Sequence, residues 1–161
     1  MSARKLTSIA FIAAVYAVLT YVFAPLSYHY IQFRISEMLT VLPFLTPTAI
    51  PGLFLGAVIA NLGSPLGIYD VMFGGLATLI AAWLTSKMPN RWLAPLPPVI
   101  INAVIIGIEL GTIAGIPGLT IPLAMLWVGL GELAVCYLLG IPFLLLLERY
   151  RGRIPGFNAK K

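Results

Sequence analysis

Long stretches without a charged residue restrict what this chain can fold into more than any other feature. Charged residues make up 9% of the sequence and hydrophobic residues 60%. The uncharged stretches are residues 6–33, 38–69, 71–86, 92–108, 110–131 and 133–147. Because a membrane-spanning helix needs about 20 mostly apolar residues, several of these stretches are long enough to cross a bilayer. The pattern excludes an ordinary soluble domain, a disordered chain and a nucleic-acid-binding protein.

The basic residues predict how often the chain crosses the membrane. Nine of the ten fall into three groups, at positions 4–5, 87–91 and 149–161. Basic residues accumulate on the cytoplasmic side, so the chain should cross an even number of times between successive groups. We therefore expect an all-α membrane protein, a bundle of six transmembrane helices with both termini cytoplasmic, forming a single domain over residues 1–161. The expected helices are approximately 6–24, 36–46, 48–63, 69–86, 94–114 and 121–147.

The second and third of these helices are expected to be short. Region 36–63 contains Pro43, Pro47 and Pro51, and proline ends or kinks helices. An even number of crossings before Lys87 requires this region to cross twice. The two short helices should then meet at a cytoplasmic turn near Thr46–Thr48.

This topology brings four of the five carboxylates to the external half of the bundle. They are Glu37, Asp70, Glu109 and Glu132, and Arg34 is the basic residue on the same face. An ionisable side chain inside a membrane costs about 2.5–3.5 kcal/mol on insertion scales. Since one arginine cannot neutralise four acids, the remaining acids should be protonated, solvated or matched by a cationic or donor-rich ligand. We expect Glu109 and Glu132 to be the deep ligand contacts, because each lies in an apolar run without a local helix partner.

The other polar residues of this half have structural alternatives. Arg34 and Glu37 can form an i,i+3 pair at a helix start, and Asp70 can stabilise a helix N-terminus. Asn61 and Asn102 can form hydrogen bonds between helices. As ligand contacts, Glu37, Asn61 and Asp70 would lie in the outer part of the site, with Arg34 orienting Glu37 and an asparagine serving the oxygen or ring nitrogen of a heterocycle.

Aromatic residues accompany these acids. Tyr69 and Trp127 belong to the external half, where aromatic side chains form an interfacial belt or provide a stacking surface for a flat heterocycle. Cys136 is expected to be a small buried hydrophobe. Because no second cysteine or histidine accompanies Cys136 and His29, we expect no metal site.

The first helix carries a stripe of small residues. Ala10, Ala13, Ala14 and Ala17 give two overlapping small-xxx-small spacings, which permit close helix approach. The stripe serves either packing within the bundle or docking of another membrane subunit. No Walker A motif is present, so we expect no cofactor in this chain, and ATP-driven transport would use separate ATPase subunits.

Four segments resemble the QueT family. They are YIQFRISEMLTVLPFLTPTAIPGLFLGAVIANL (30–62), DVMFGGLATLIAAW (70–83), LAPLPPVIINAVIIGIEL (93–110) and GELAVCYLLGIP (131–142). The resemblance implies the six-helix fold of an S-component, the substrate-binding subunit of energy-coupling factor (ECF) transporters, located in the bacterial plasma membrane. It also implies a queuosine precursor as ligand, such as queuine or a 7-deazaguanine base with an aminomethyl or nitrile group. The implied partners are a transmembrane T-component, which docks on the alanine-rich first helix, and two ATPases.

Three other functions remain open from the residues alone. An S-component for a different vitamin or micronutrient would share the fold and the partners. An intramembrane enzyme could use Glu109 and Glu132 as acid and base, although no nucleophile or metal set accompanies them. A structural membrane subunit would bind no ligand.

Overall fold

The computed structural model describes residues 2–29 and 32–150, and this part of the chain is helical without strands. The all-α expectation is thereby confirmed for these residues. The helices are α1 Ala3–Val22, α2 Ala24–Ser27, a 3-10 helix Ile35–Val41, α3 Leu42–Leu45, α4 Ala49–Asn61, α5 Ile68–Thr85, α6 Leu96–Ile113, α7 Ile121–Ala134, a π-helix Val135–Gly140 and α8 Ile141–Arg149. Of the basic group expected at 149–161, positions 151–161 lie outside the described residues.

Among the described residues, four helical segments are long and apolar enough to cross a membrane. They are Ala3–Val22, Ile68–Thr85, Leu96–Ile113 and the continuous segment Ile121–Arg149, which joins α7, the π-helix and α8. Two shorter apolar segments, Ile35–Leu45 and Ala49–Asn61, occupy the region expected to cross twice. The chain therefore has the character of a multi-pass membrane protein.

The helical segment expected at 36–46 is wound tightly at its beginning. Ile35–Val41 is a 3-10 helix, and it continues directly into α3, which contains Pro43. The chain then turns at Pro47 and Thr48, where the sequence predicts a turn, and α4 begins at Ala49. A 3-10 helix rises about 2.0 Å per residue instead of 1.5 Å, so this short segment reaches further than an α-helix of equal length.

The last long segment changes its winding midway. The π-helix Val135–Gly140 separates α7 from α8, and Pro142 is the second residue of α8. Proline lacks an N–H donor and its ring clashes with the carbonyl four residues earlier, a conflict that local π winding relieves. The π-helix begins three residues after Glu132 and contains Cys136.

The helices pack in a consecutive series with the 3-10 helix at the centre. Helix α1 packs on α4, α4 on α5, α5 on α6 and α6 on α7, while the 3-10 helix contacts α1, α5 and the π-helix. The residues of the 3-10 helix are therefore enclosed by elements from both ends of the sequence. This central position places Glu37 inside the bundle.

One end of the bundle is closed by contacts between distant segments. Val41, Leu45, Ala94 and Leu144 form a buried apolar cluster, and Arg91 forms an ion pair with Glu148 at 2.9 Å. The turn after α3, the α5–α6 connection and the end of α8 therefore lie at the same end. At the opposite end, the Tyr28 hydroxyl donates to the Ala60 carbonyl at 2.5 Å, and partial burial raises the pKa of this hydroxyl.

The seam between α1 and α4 depends on small residues from both helices. A Cβ atom at Gly56 would lie 2.8 Å from the Cβ of Tyr16, closer than side chains tolerate, so only glycine permits this approach. Ala13 and Ala17 are buried, whereas Ala10 and Ala14 are exposed on α1. The alanine stripe is thus divided, and only one half of it is used for packing inside this chain.

Candidate functional site

Seven of the polar residues that the sequence indicates as ligand contacts are buried inside the bundle, and they come from five elements. Each of them is no more than 4% exposed. They are Arg34 and Glu37 at the start of the 3-10 helix, Asn61 at the end of α4, Asp70 in the first turn of α5, Asn102 and Glu109 on α6, and Glu132 on α7. Burying charged groups is costly unless they are paired, so the arrangement of their partners decides what this region can do.

The first group of contacts surrounds Glu37. The Tyr16 hydroxyl donates a hydrogen bond to Oε1 of Glu37. Asn102 interacts with the carboxyl groups of both Glu37 and Glu132. The Cys136 thiol donates to Oε2 of Glu132 at 3.5 Å, so Cys136 is buried as expected and also contacts a carboxylate. Residues from α1, the 3-10 helix, α6 and the α7–π junction thus meet around two acids.

The second group of contacts surrounds Asp70. The Asn61 side chain donates through Nδ2 to the backbone carbonyl of Asp70 at 2.9 Å, and the Ser64 hydroxyl donates to Oδ2 of Asp70. Glu109 is a neighbour of Asp70 and interacts with it electrostatically. Gly74 makes this arrangement possible, because a Cβ atom at position 74 would overlap the Asn61 amide. Two further acids are therefore held together where α4, α5 and α6 meet.

Arg34 lies between the two groups. Its guanidinium interacts electrostatically with Glu37 and Asp70, and its charge also acts on Glu109 and Glu132. None of these acids is close enough to form a direct ion pair with it in the described part of the chain. The i,i+3 pairing considered for Arg34 and Glu37 is absent, because Arg34 has an extended backbone and precedes the helix. Tyr16, and not Arg34, forms the hydrogen bond that orients Glu37.

Several buried atoms of these residues have no hydrogen-bonding partner among the residues that the structure describes. Six such atoms belong to residues that the sequence indicates as ligand contacts: Arg34 Nε, Glu37 Oε2, Asn61 Oδ1, Asp70 Oδ1, and Oε1 and Oε2 of Glu109. Unpaired buried polar atoms are rare in folded proteins, and each one calls for an explanation. Five of the six are acceptors and one is a donor, so the arrangement suits a ligand with several donors and at least one acceptor.

The side-chain amide of Asn61 is partly engaged within the bundle. Sequence reasoning assigned an asparagine donor to the oxygen or ring nitrogen of a heterocycle. In the structure one of the two N–H groups of the Asn61 amide donates to the Asp70 carbonyl, and its Oδ1 has no partner among the described residues. Arg34 Nε is the unpaired donor in this group, which makes Arg34 the better partner for a ligand carbonyl.

The two aromatic candidates are less buried than the acids. Tyr69 is 48% exposed although it precedes the buried Asp70, because successive helix residues are rotated by about 100° from each other. Trp127 on α7 is partly exposed and precedes the buried Val128.

Sequence reasoning missed three residues that shape the site. Tyr16 and Ser64 donate to Glu37 and Asp70, and Thr40 donates to the Glu37 carbonyl at 2.5 Å. For Tyr16 a signal was present, since a tyrosine in the middle of a membrane helix needs a partner for its hydroxyl. The residues described hold no group of three or more His, Cys, Asp or Glu side chains arranged to bind a metal ion.

The membrane-spanning helices and the enclosed polar cluster define a multi-pass membrane protein with a buried polar site. Comparison with known families identifies the kind of protein. The profile described as QueT transporter matches residues 6–149, and the chain therefore belongs to the QueT transporter family. The resemblance found in the sequence is confirmed.

A curated relative agrees with this assignment. The queuosine precursor transporter QueT of Lactococcus lactis subsp. cremoris (strain MG1363) is 39% identical over 89 residues. The match covers 54% of this chain and 52% of the relative, so the chain spans about half the length of the relative it matches. No solved structure matches the chain. The family and the relative are both described as transporters, and the membrane-capable helices of the described residues agree with a multi-pass protein of the cell membrane.

Proposed function

We propose that this chain is the substrate-binding subunit, or S-component, of an ECF-type importer. It captures a queuosine precursor, a 7-deazaguanine base such as queuine or its aminomethyl or nitrile precursors, from the external side of the membrane. The name of the Lactococcus relative supports this ligand class. Uptake is driven by ATP that separate ATPase subunits hydrolyse, and the chain itself needs no cofactor.

The unpaired buried atoms are the observation that carries the proposal. Glu37, Asp70 and Glu109 present free carboxylate oxygens, and Arg34 presents a free N–H. A 7-deazaguanine ring offers neighbouring N–H donors along one edge and a carbonyl oxygen beside them. The donors match the carboxylates, which accept hydrogen bonds in pairs, and the carbonyl matches Arg34. Ligand binding would thereby satisfy groups that are otherwise buried without partners.

The proposed topology has six membrane crossings with both termini in the cytoplasm. The two short apolar segments Ile35–Leu45 and Ala49–Asn61 support two crossings in the region before α5. The Arg91–Glu148 ion pair supports an even number of crossings between these residues, because it joins the α5–α6 connection to the end of α8. In this arrangement the cluster of acids lies towards the external side, where the ligand arrives.

The proposed partners are a transmembrane T-component and two ATPases. Ala10 and Ala14 support a docking surface on α1, because they are exposed and permit another helix to approach closely. Ala13 and Ala17 would contribute indirectly, since they hold α1 against α4. The binding site and the docking surface would then lie on different faces of the same helix, with Tyr16 directed towards the site.

The test is a ligand screen with the purified full chain. Thermal unfolding in detergent is measured with 7-deazaguanine bases and with a panel of vitamins. Because a ligand that binds only the folded state stabilises it, the proposal predicts a concentration-dependent rise in Tm with at least one 7-deazaguanine base. Stabilisation by a vitamin alone would contradict the ligand class and support an S-component of different specificity, and no stabilisation by any compound would contradict a binding subunit.

A further inference from the structure

The two groups of buried acids differ in how many of their oxygens are already engaged. Around Asp70, the unpaired atoms are Oδ1 of Asp70, both carboxylate oxygens of Glu109 and Oδ1 of Asn61. All four are acceptors, and two of the three side chains are acids. An ammonium group supplies three N–H donors and a positive charge, which makes it a close chemical match for such a set.

The group around Glu37 contains both hydrogen-bond donors and acceptors. Oε1 of Glu37 accepts from Tyr16, and Oε2 of Glu132 accepts from Cys136. Oε2 of Glu37 is unpaired, and the Asn102 amide beside it carries both donor and acceptor atoms. A mixture of donors and acceptors suits the edge of a neutral heterocycle, which itself alternates donors and acceptors.

The charges of the buried cluster also favour a cationic group on the ligand. Arg34 is a cation that acts on all four buried acids, so the acids that its charge does not balance are either protonated or matched by a further cation. Breaking or omitting the partner of a buried charge is strongly unfavourable, so a second positive charge would stabilise the cluster. An organic cation fits better than a metal ion, because the described residues contain no cluster of metal-ligating side chains.

We propose that Asp70, Glu109 and Asn61 form a subsite for a cationic substituent of the ligand, while Glu37, Glu132 and Asn102 bind the edge of the ring. The site would therefore select a 7-deazaguanine base with a primary ammonium group over a neutral base of similar size. This inference rests on the proposed function, since it assigns the two ends of the ligand within the same site.

The test compares two ligands that differ in charge. Binding of 7-aminomethyl-7-deazaguanine and 7-cyano-7-deazaguanine to the purified full chain is measured by isothermal titration calorimetry. The wild type should bind the aminomethyl base at least about tenfold more tightly, since hydrogen bonds between charged groups are roughly twice as strong as neutral ones. In Glu109→Gln the affinity for the aminomethyl base should fall at least about tenfold, and much more than the affinity for the nitrile base, so that the preference is lost, because glutamine keeps the shape and loses the charge.

Two further variants complete the design. Asp70→Asn should reduce the preference in the same way, and Glu148→Gln should retain it, because Glu148 pairs with Arg91 at the other end of the bundle. Equal affinity of the wild type for both bases would overturn the inference even if every variant failed to fold. Equal weakening of both bases in Glu109→Gln and Asp70→Asn would also overturn it, leaving the proposed function intact. If neither base binds, this inference fails, whereas the proposed function fails only if queuine does not bind either.

Discussion

The hydroxyl of Tyr16 on α1 donates a hydrogen bond to Oε1 of Glu37 at the start of the 3-10 helix. Both side chains are fully buried. This contact fixes one oxygen of Glu37 and leaves the other, Oε2, unpaired. It also joins the helix that carries the exposed Ala10 and Ala14 to the group of buried acids.

Removing the Tyr16 hydroxyl should weaken ligand binding. Tyr16→Phe deletes the donor that orients Glu37, and a hydrogen bond to a charged group contributes about 1.5–3 kcal/mol. We expect at least about tenfold lower affinity in a calorimetric titration, since about 1.4 kcal/mol corresponds to tenfold. Tyr21→Phe is the matched control, because its hydroxyl donates to the Ile59 carbonyl at 2.7 Å and not to an acid. Equal ligand affinities of the two variants would show that the Tyr16 hydroxyl does not contribute to ligand binding.

A methyl group at position 74 should disturb the site locally. Gly74→Ala places a Cβ atom against the Asn61 amide, which then has to leave the Asp70 carbonyl. We expect about tenfold weaker ligand binding, of the order expected when a buried hydrogen bond is lost. Gly75→Ala is the control, since its Cβ would lie 3.2 Å from a Val58 methyl group and away from the acids. If Gly74→Ala and Gly75→Ala bound the ligand with equal affinity, the position of the Asn61 amide would not contribute to ligand binding.

The seam between α1 and α4 should be sensitive to volume. Gly56→Ala brings a Cβ atom to 2.8 Å from the Tyr16 Cβ, and overpacking typically costs about 1–3 kcal/mol. We expect a lower Tm in detergent for Gly56→Ala than for Gly129→Ala, where the new Cβ would lie 3.3 Å from the Ala103 Cβ. A Tm for Gly56→Ala at or above that of Gly129→Ala would contradict the close approach of α1 and α4.

The exposed half of the alanine stripe should affect assembly and not ligand binding. Ala14→Trp introduces a bulky side chain on the exposed face of α1, which would keep a partner helix away. We expect loss of co-purification with the T-component while ligand affinity is retained. Leu138→Trp is the control, because Leu138 is 72% exposed on a different segment. Normal co-purification of Ala14→Trp with the T-component would show that the T-component does not dock on this face of α1.

The sequence was sufficient to predict the helical membrane character and the group of buried polar residues. Hydrophobic stretches reveal helices because the bilayer requires them, and a buried acid such as Glu109 is conspicuous within such a stretch. The local winding was not predictable. Ile35–Val41 and Val135–Gly140 adopt 3-10 and π geometry, and such departures depend on the prolines combined with packing between the two segments.

The contacts within the site could also not be predicted from the sequence. Helical spacing favoured Arg34 as the partner of Glu37, but Arg34 precedes the helix and Tyr16 supplies the contact across the bundle. Tyr69 is adjacent in sequence to Asp70 and still lies on the surface. Such long-range pairings depend on how the helices are rotated against each other, which the spacing of residues in one helix does not define.

The central claim is that the buried acids bind the ligand, and charge-neutral substitution tests it most directly. Affinity for the 7-deazaguanine base that gives the largest rise in Tm is measured for Glu109→Gln, Glu132→Gln and the control Glu148→Gln. Both buried variants should bind at least about tenfold more weakly than the wild type, since each loses a charge-assisted hydrogen bond, while Glu148→Gln should bind normally. Wild-type affinity in both Glu109→Gln and Glu132→Gln would contradict the account.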